Sequence, residues 1–322
     1  MPTKCIFLCG LHNIEVKEDL KDGLELVPNE KNNDFPTIKL TNNKEKIKSL
    51  LDKQLSYFIG AIEYNHLLNG YSLVAFAENE FDIESTNSIQ HLDLHLFLLK
   101  MYFFCLWMTK DNAADFDIGF LQFTNKKDKL EVSSNNMTNS NFNVSGERSS
   151  AVFSLEELNT SSKYLTDCIY IEHKNRPKLA SASSLDRISI ANYFVQSAIV
   201  AHDLGIKAVG YCSALETLFA NGDNTELSHK LSERVSKFLE TALSERKEIY
   251  KSVKKIYEVR SKVVHGATFK SQKTTELCDI IQRADQICRR VMVYALTTKE
   301  DDNIFDKSRE DLDVFFLDLI LQ

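Results

Sequence analysis

Tyr257-Glu258-Val259-Arg260-Ser261-Lys262-Val263-Val264-His265-Gly266 places a cation inside what is otherwise a core stripe. Around it Ile249, Val253, Ile256, Tyr257, Val263 and Val264 recur at helical spacing, the signature of an amphipathic helix. Arg260 falls on the centre line of that apolar face. A guanidinium keeps its charge, so burying it without a partner is costly. It must either pair with a buried carboxylate or line a cleft. His265 closes the helix, and Gly266 supplies the usual C-terminal stop.

Working outward, residues from about 183 onward show repeated 3.6-residue periodicity. Ile188 to Ile199 mark one helix ending near Gly205, and Val209 to Phe219 a second. A third begins at an Asn224 or Thr225 cap and carries Leu227, Leu231, Val235, Phe238 and Leu239. The arginine helix is the fourth, and Leu277 to Ala295 mark a fifth. Short connections predict a compact helical bundle over 181–299. A last amphipathic helix within 300–322 is expected to dock on the rest of the chain or on a second subunit. Residues 1–180 look mixed, with strand-like runs at Cys5–Leu11, Ser72–Ala77, Ile118–Phe123 and Cys168–Ile171. Helices are predicted over Lys44–Phe58 and Ser88–Met108, and a polar surface loop over Ser133–Ser150. The expected architecture is an N-terminal α+β domain (1–180), an all-α bundle (181–299) and a docking helix (300–322).

Composition suits this layout. The 322 residues are 43% hydrophobic and 26% charged, as in globular domains. The longest apolar run, Leu94–Met108, is interrupted by His95 and Lys100, so no membrane span is expected. Met1–Leu11 reads as a first strand rather than a signal segment. The seven cysteines are scattered without a Cys-x-x-Cys pair, which points to a reducing cytoplasm and away from a zinc site. The Asn-x-Ser/Thr matches at Asn136, Asn143 and Asn159 then read as chance products of a Ser/Asn-rich region.

The net charge of −7 argues against a generic nucleic-acid coat, but the distribution is uneven. Residues 183–298 hold 17 Lys+Arg against 13 Asp+Glu. Within 246–273 nine basic residues face only Glu248 and Glu258. This stretch is either a solvated helix face or a phosphate-attracting surface, with Lys254, Lys255 and Lys262 as candidate RNA contacts.

Two further charges interrupt apolar stripes. Glu216 lies between Cys212 and Phe219, and Arg234 beside Leu231, Val235 and Phe238. An internal ion pair, Glu216 with Arg260 or with Arg234, would hold the bundle in register; the same pairing could aim the guanidinium. Five residues turn a helix by about 500°, leaving Arg260 and His265 roughly 140° apart, so one helix alone presents them poorly to one atom. His91 and His95 lie at i and i+4 but lack a third ligand, and are read as exposed helix positions. No Gly-rich phosphate loop, Gly-x-Ser-x-Gly elbow or His-Glu-x-x-His motif is present.

Residues 183–298 resemble a HEPN domain of the Apea-like branch found in phage-defence proteins. The likeness rests on Arg-x-x-x-x-His at 260–265 within Tyr257–Gly266, on Ala214-Leu-Glu-Thr-Leu-Phe219 and on Lys230-Leu-Ser-Glu-Arg234. The resemblance implies metal-independent RNA cleavage without a cofactor, by a homodimer formed through the bundle. Both Arg-x-x-x-x-His motifs would then line one cleft, with Arg260 and His265 catalytic and Glu216, Arg234, Tyr257 and Ser261 supporting. Ser261 stands where many relatives carry Asn, Asp or His. Ala267 stands where some carry a modified tyrosine, so a nucleotidyltransferase antitoxin is not expected. RNA is the implied partner, with a phage-derived or other trigger at the N-terminal domain. The alternative is a non-catalytic HEPN module for dimerisation or nucleotide binding.

Overall fold

A computed structural model describes residues 3–26, 36–51, 53–81, 87–125, 127–135, 138–175, 186–220, 226–266, 274–299 and 301–321. The chain divides into two compact units, Met1–Asn141 with Arg148–Thr166, and Phe142–Glu147 with Asp167–Gln322.

The first unit is built on β1 (Thr3–His12), β3 (Leu24–Glu25), β4 (Lys39–Thr41), β5 (Leu73–Phe81), β6 (Asp115–Thr124) and β7 (Leu130–Ser134). They form one antiparallel sheet in the order β3-β4-β5-β1-β6-β7. The run Cys5-Ile-Phe-Leu-Cys is almost wholly apolar because β1 is a central strand covered on both faces. Phe7 aligns with Ala77 and Leu121, and Leu8 with Phe76 and Phe120. Leu8, Val74, Phe76 and Phe120 pack on one face against α1 (Lys44–Leu50) and the first turn of α2 (Leu55–Ile59), which a short α3 (Ala61–Asn65) follows. Phe7 and Gly119 point to the other, where α4 (Ser88–Thr109) crosses; a Cβ at Gly119 would sit 2.7 Å from Leu96. β2 (Ile14–Val16) and β8 (Ala151–Phe153) make a separate parallel pair.

Three expectations for residues 1–180 change. The helix expected over Lys44–Phe58 is two helices, α1 and α2; Asn43 caps the first by accepting from the Lys46 N–H, and Gly60 at φ 84 ends the second. Cys168–Ile171 is not a strand but part of α5 (Leu155–Asn175). Leu158, Leu165, Cys168 and Ile169 are buried at helical spacing, a period that the short apolar run hides. His95 is fully buried, not exposed. Its Nδ1 lies 2.6 Å from the His91 carbonyl, its Nε2 is 3.2 Å from the Asn79 amide, and its ring stacks on Phe7. Burial pushes its pKa down to about 4, so a neutral ring donates through Nδ1 and accepts at Nε2. Among the described residues no cluster of three His, Cys, Asp or Glu is placed to hold a metal. By length and composition alone α4 could cross a bilayer, but 67% of its apolar window is buried within the protein.

The second unit comprises α6 (Arg187–Ile199), α7 (Leu204–Phe219), α8 (Leu227–Leu239), α9 (Leu243–Val264), α10 (Thr274–Thr297) and α11 (Arg309–Leu321). Gly205 does not end α6. Asp203 accepts from the Ile206 N–H and starts α7, where Gly205 lies against Val263 of α9. α7 is the central helix, packing on α6, α8, α9 and α10. Gly210 permits the closest approach, since a Cβ there would stand 2.8 Å from both the Ala198 Cβ and the Phe194 carbonyl. Lys207 is fully buried, and its Nζ donates to the carbonyls of Phe142, Ala198 and Ile199, closing the C-terminus of α6. The Asn224 or Thr225 cap lies outside the described residues; Glu226, at φ 50, precedes α8. α11 docks on α8, with Leu312 and Phe316 buried in an aromatic cluster that includes Phe219, Phe238 and Phe305.

Candidate functional site

α9 positions the arginine. Ile249, Val253, Ile256 and Val259 are buried, and Arg260 continues their stripe against α7. Its guanidinium meets Glu216, with Nη2 3.3 Å from Oε2 and side chains 28% and 15% exposed. This decides between the two pairings open in the sequence. Arg234 instead donates to the Phe219 carbonyl at 2.6 Å and lies over the Phe316 ring at 4.5 Å. Arg234 therefore belongs to the aromatic cluster beneath α11, not to the Arg260 pair.

The pair is only partly satisfied. The contact is long for a charge-assisted hydrogen bond. The Nε of Arg260 is buried and has no hydrogen-bond partner among the described residues. The guanidinium carbon stands 5.9 Å from the centre of the Tyr257 ring. Burial raises the Glu216 pKa, and Arg260 offsets this in part. Cys212 Sγ lies 4.0 Å from Glu216 Oε1, and burial pushes its thiol up as well, so it is an inert neighbour rather than a nucleophile.

His265 sits at the C-terminal cap of α9, exposed, with φ −91 and ψ 11. Its N–H donates to the Ser261 carbonyl at 3.1 Å, and the Gly266 N–H donates to the Val263 carbonyl. Both bonds are backbone to backbone, so the turn that presents the imidazole does not depend on the Ser261 hydroxyl. Lys254, Lys255 and Lys262 are all exposed. Helical geometry puts them about 120–160° around α9 from Arg260, on the solvent side with His265. The structure therefore brings Arg260, Glu216 and Tyr257 together, and separates them from the three lysines.

Two adjoining cavities lie between α9 and α10, of about 630 Å³ and 240 Å³. Glu248, Ser252 and Arg283 line both, making one groove of mixed charge, and neither Arg260 nor His265 lines it. The sequence reading missed this groove. Its only signal is the polar and charged positions 248, 252, 279, 283, 286 and 290, which mark a helix edge as readily as a groove wall. No family model, curated protein or solved structure matches the chain.

Proposed function

We propose that the protein is a metal-independent endoribonuclease of HEPN type, acting as a homodimer in which two Arg260–His265 sets share one cleft. The observation that carries the reading is the half-satisfied Arg260. A guanidinium held on a core stripe by one long Nη2 contact, its side chain still 28% exposed, keeps outward terminal donors for a phosphate, while its Nε is closed off inside. His265 would take the proton from the ribose 2′-hydroxyl and return it to the 5′-oxygen that leaves as the 2′-oxygen bonds to phosphorus. Arg260 would hold the scissile phosphate and stabilise its growing charge, with Glu216 aiming it. A second copy would bring the opposed faces of α9 to one substrate. The N-terminal α+β unit would sense the trigger, in a setting of phage defence by RNA damage.

One observation favours a second reading. The Arg260–Glu216 contact also suits a structural ion pair in a non-catalytic HEPN module for dimerisation or nucleotide binding. Labelled RNAs incubated with the protein in EDTA separate the two. The nuclease reading expects cleavage by the wild type and none by His265→Ala, with fold and mass in solution unchanged. Equal cleavage by the variant would overturn it, as would intact RNA with the wild type across a broad RNA panel and phage-infected extracts.

A further inference from the structure

The outward face of α9 carries more than the three lysines singled out by the sequence. Taking Arg260 as origin, Lys247, Lys251, Lys254, Lys255 and Lys262 all fall between about 120° and 220° around the helix. All five are exposed, and His265, also exposed, stands about 140° round at the end of the row. From Lys247 to His265 the row rises about 27 Å. Lys251 is paired with Glu248 at 2.9 Å. Among the described residues Lys247, Lys254, Lys255 and Lys262 have no carboxylate within ion-pair distance, although Glu258 lies on the same face and Lys255, with Lys251, edges the α9–α10 groove beside Glu248, Glu276 and Asp279.

Helix stability alone does not favour such a row. Lys247, Lys251 and Lys255 follow each other at i and i+4, where like charges repel. Glu258 offsets part of this, standing four residues from both Lys254 and Lys262, but five lysines against Glu248 and Glu258 leave the cations in excess. The excess suits a polyanion supplied from outside.

We infer that this face of α9 is the track for the backbone of a single-stranded RNA, whose phosphates bridge Lys247, Lys254, Lys255 and Lys262 and lead the strand to His265. The inference rests on the nuclease reading for its choice of RNA. The row is one helix wide, so it follows one backbone; a duplex presents two, and would need a second row of cations across a groove. Each phosphate neutralised on a single strand contributes about −0.7 to the slope of log affinity against log salt. Four lysines therefore account for a slope of about −2.8, or roughly a twentyfold loss of affinity between 0.1 and 0.3 M salt.

The test is fluorescence anisotropy with a labelled single-stranded RNA, in full-length protein carrying His265→Ala so that the RNA stays intact. Replacing Lys247, Lys254, Lys255 and Lys262 together by Gln is expected to flatten the salt slope by about 2.8. Circular dichroism should show the same helix content and no loss of thermal stability, since the change relieves repulsion. An unchanged slope would overturn the track while leaving cleavage by the wild type untouched. Tighter binding of a duplex of equal length would overturn it too, as would lysine-dependent binding to phosphatidylserine vesicles without binding to RNA. Binding with the expected slope by a protein that cleaves nothing would sink the nuclease reading and keep the track.

Discussion

Removing the Arg260 guanidinium should destabilise the bundle by an amount that depends on pH. In the wild type Glu216 is half-buried, and its pKa is raised by burial despite the arginine 3.3 Å away. Two unit charges at about that distance attract by roughly 1 kcal/mol in a water-like medium and about 4–5 kcal/mol at an effective dielectric of 20. Partial exposure of both side chains and the cost of desolvation bring the expected net loss for Arg260→Ala to about 1–2 kcal/mol at pH 7. That corresponds to a fall in Tm of roughly 2–8 °C for a unit of this size. A carboxyl raised above its unfolded value contributes stability at low pH that is lost as pH rises through its folded pKa. Arg260→Ala removes the charge that lowers the Glu216 pKa, so that loss deepens. The penalty of the substitution should therefore be small near pH 4 and reach its full value toward pH 7. Urea unfolding of wild type, Arg260→Ala, Glu216→Gln and the double variant, each from pH 4 to 8, measures it, and the double-mutant cycle isolates the pair. A coupling near zero, or a penalty flat across pH, would refute the reasoning and leave Arg260 facing solvent without electrostatic connection to α7.

Other expectations follow from the same geometry. His265→Ala should change the Tm by less than about 1 °C, because the imidazole is exposed and its cap bonds are made by backbone; differential scanning fluorimetry checks this. Lys207→Met should cost about 1–3 kcal/mol in chemical unfolding, since it removes the Nζ donor from the Phe142 carbonyl, while the Ala198 and Ile199 carbonyls keep the backbone N–H groups of Ala201 and Phe142. Asp115 is fully buried, pairs with Arg148 at 2.7 Å, and is pushed up to about 6, chiefly by burial. The wild type should lose stability on this account as pH rises from about 4 to 6, and Asp115→Asn should flatten that part of the profile. Gly210→Val should cost about 1–3 kcal/mol or more in chemical unfolding, because its Cβ would press on the backbone of α6.

The helices of the second unit were legible because each carries its own period: α6, α7, α9 and α10 bury the residues that recur every three or four positions. Strands β1, β5 and β6 were legible for a different reason, as short apolar runs bounded by polar sequence. Cys168–Ile171 shows where that second signal fails, because four apolar residues in a row satisfy either period and only the buried positions upstream reveal a helix. Gly205 shows a failure of punctuation: glycine usually closes helices, but here Asp203 has already opened the next one and the missing side chain serves contact with Val263. Within the site, the identity of the odd residues was readable and their partners were not. Arg260 and Arg234 interrupt apolar stripes in the same way, yet one meets a carboxylate and the other an aromatic ring and a carbonyl. Periodicity reports which face a residue occupies on its own helix; the partner depends on how two helices cross, which no single-helix pattern encodes. The same limit explains the lysines. Their angular distance from Arg260 follows from spacing alone, so the two faces of α9 were separable from the start, and any single chemistry that uses both must gather them from more than one copy of the helix.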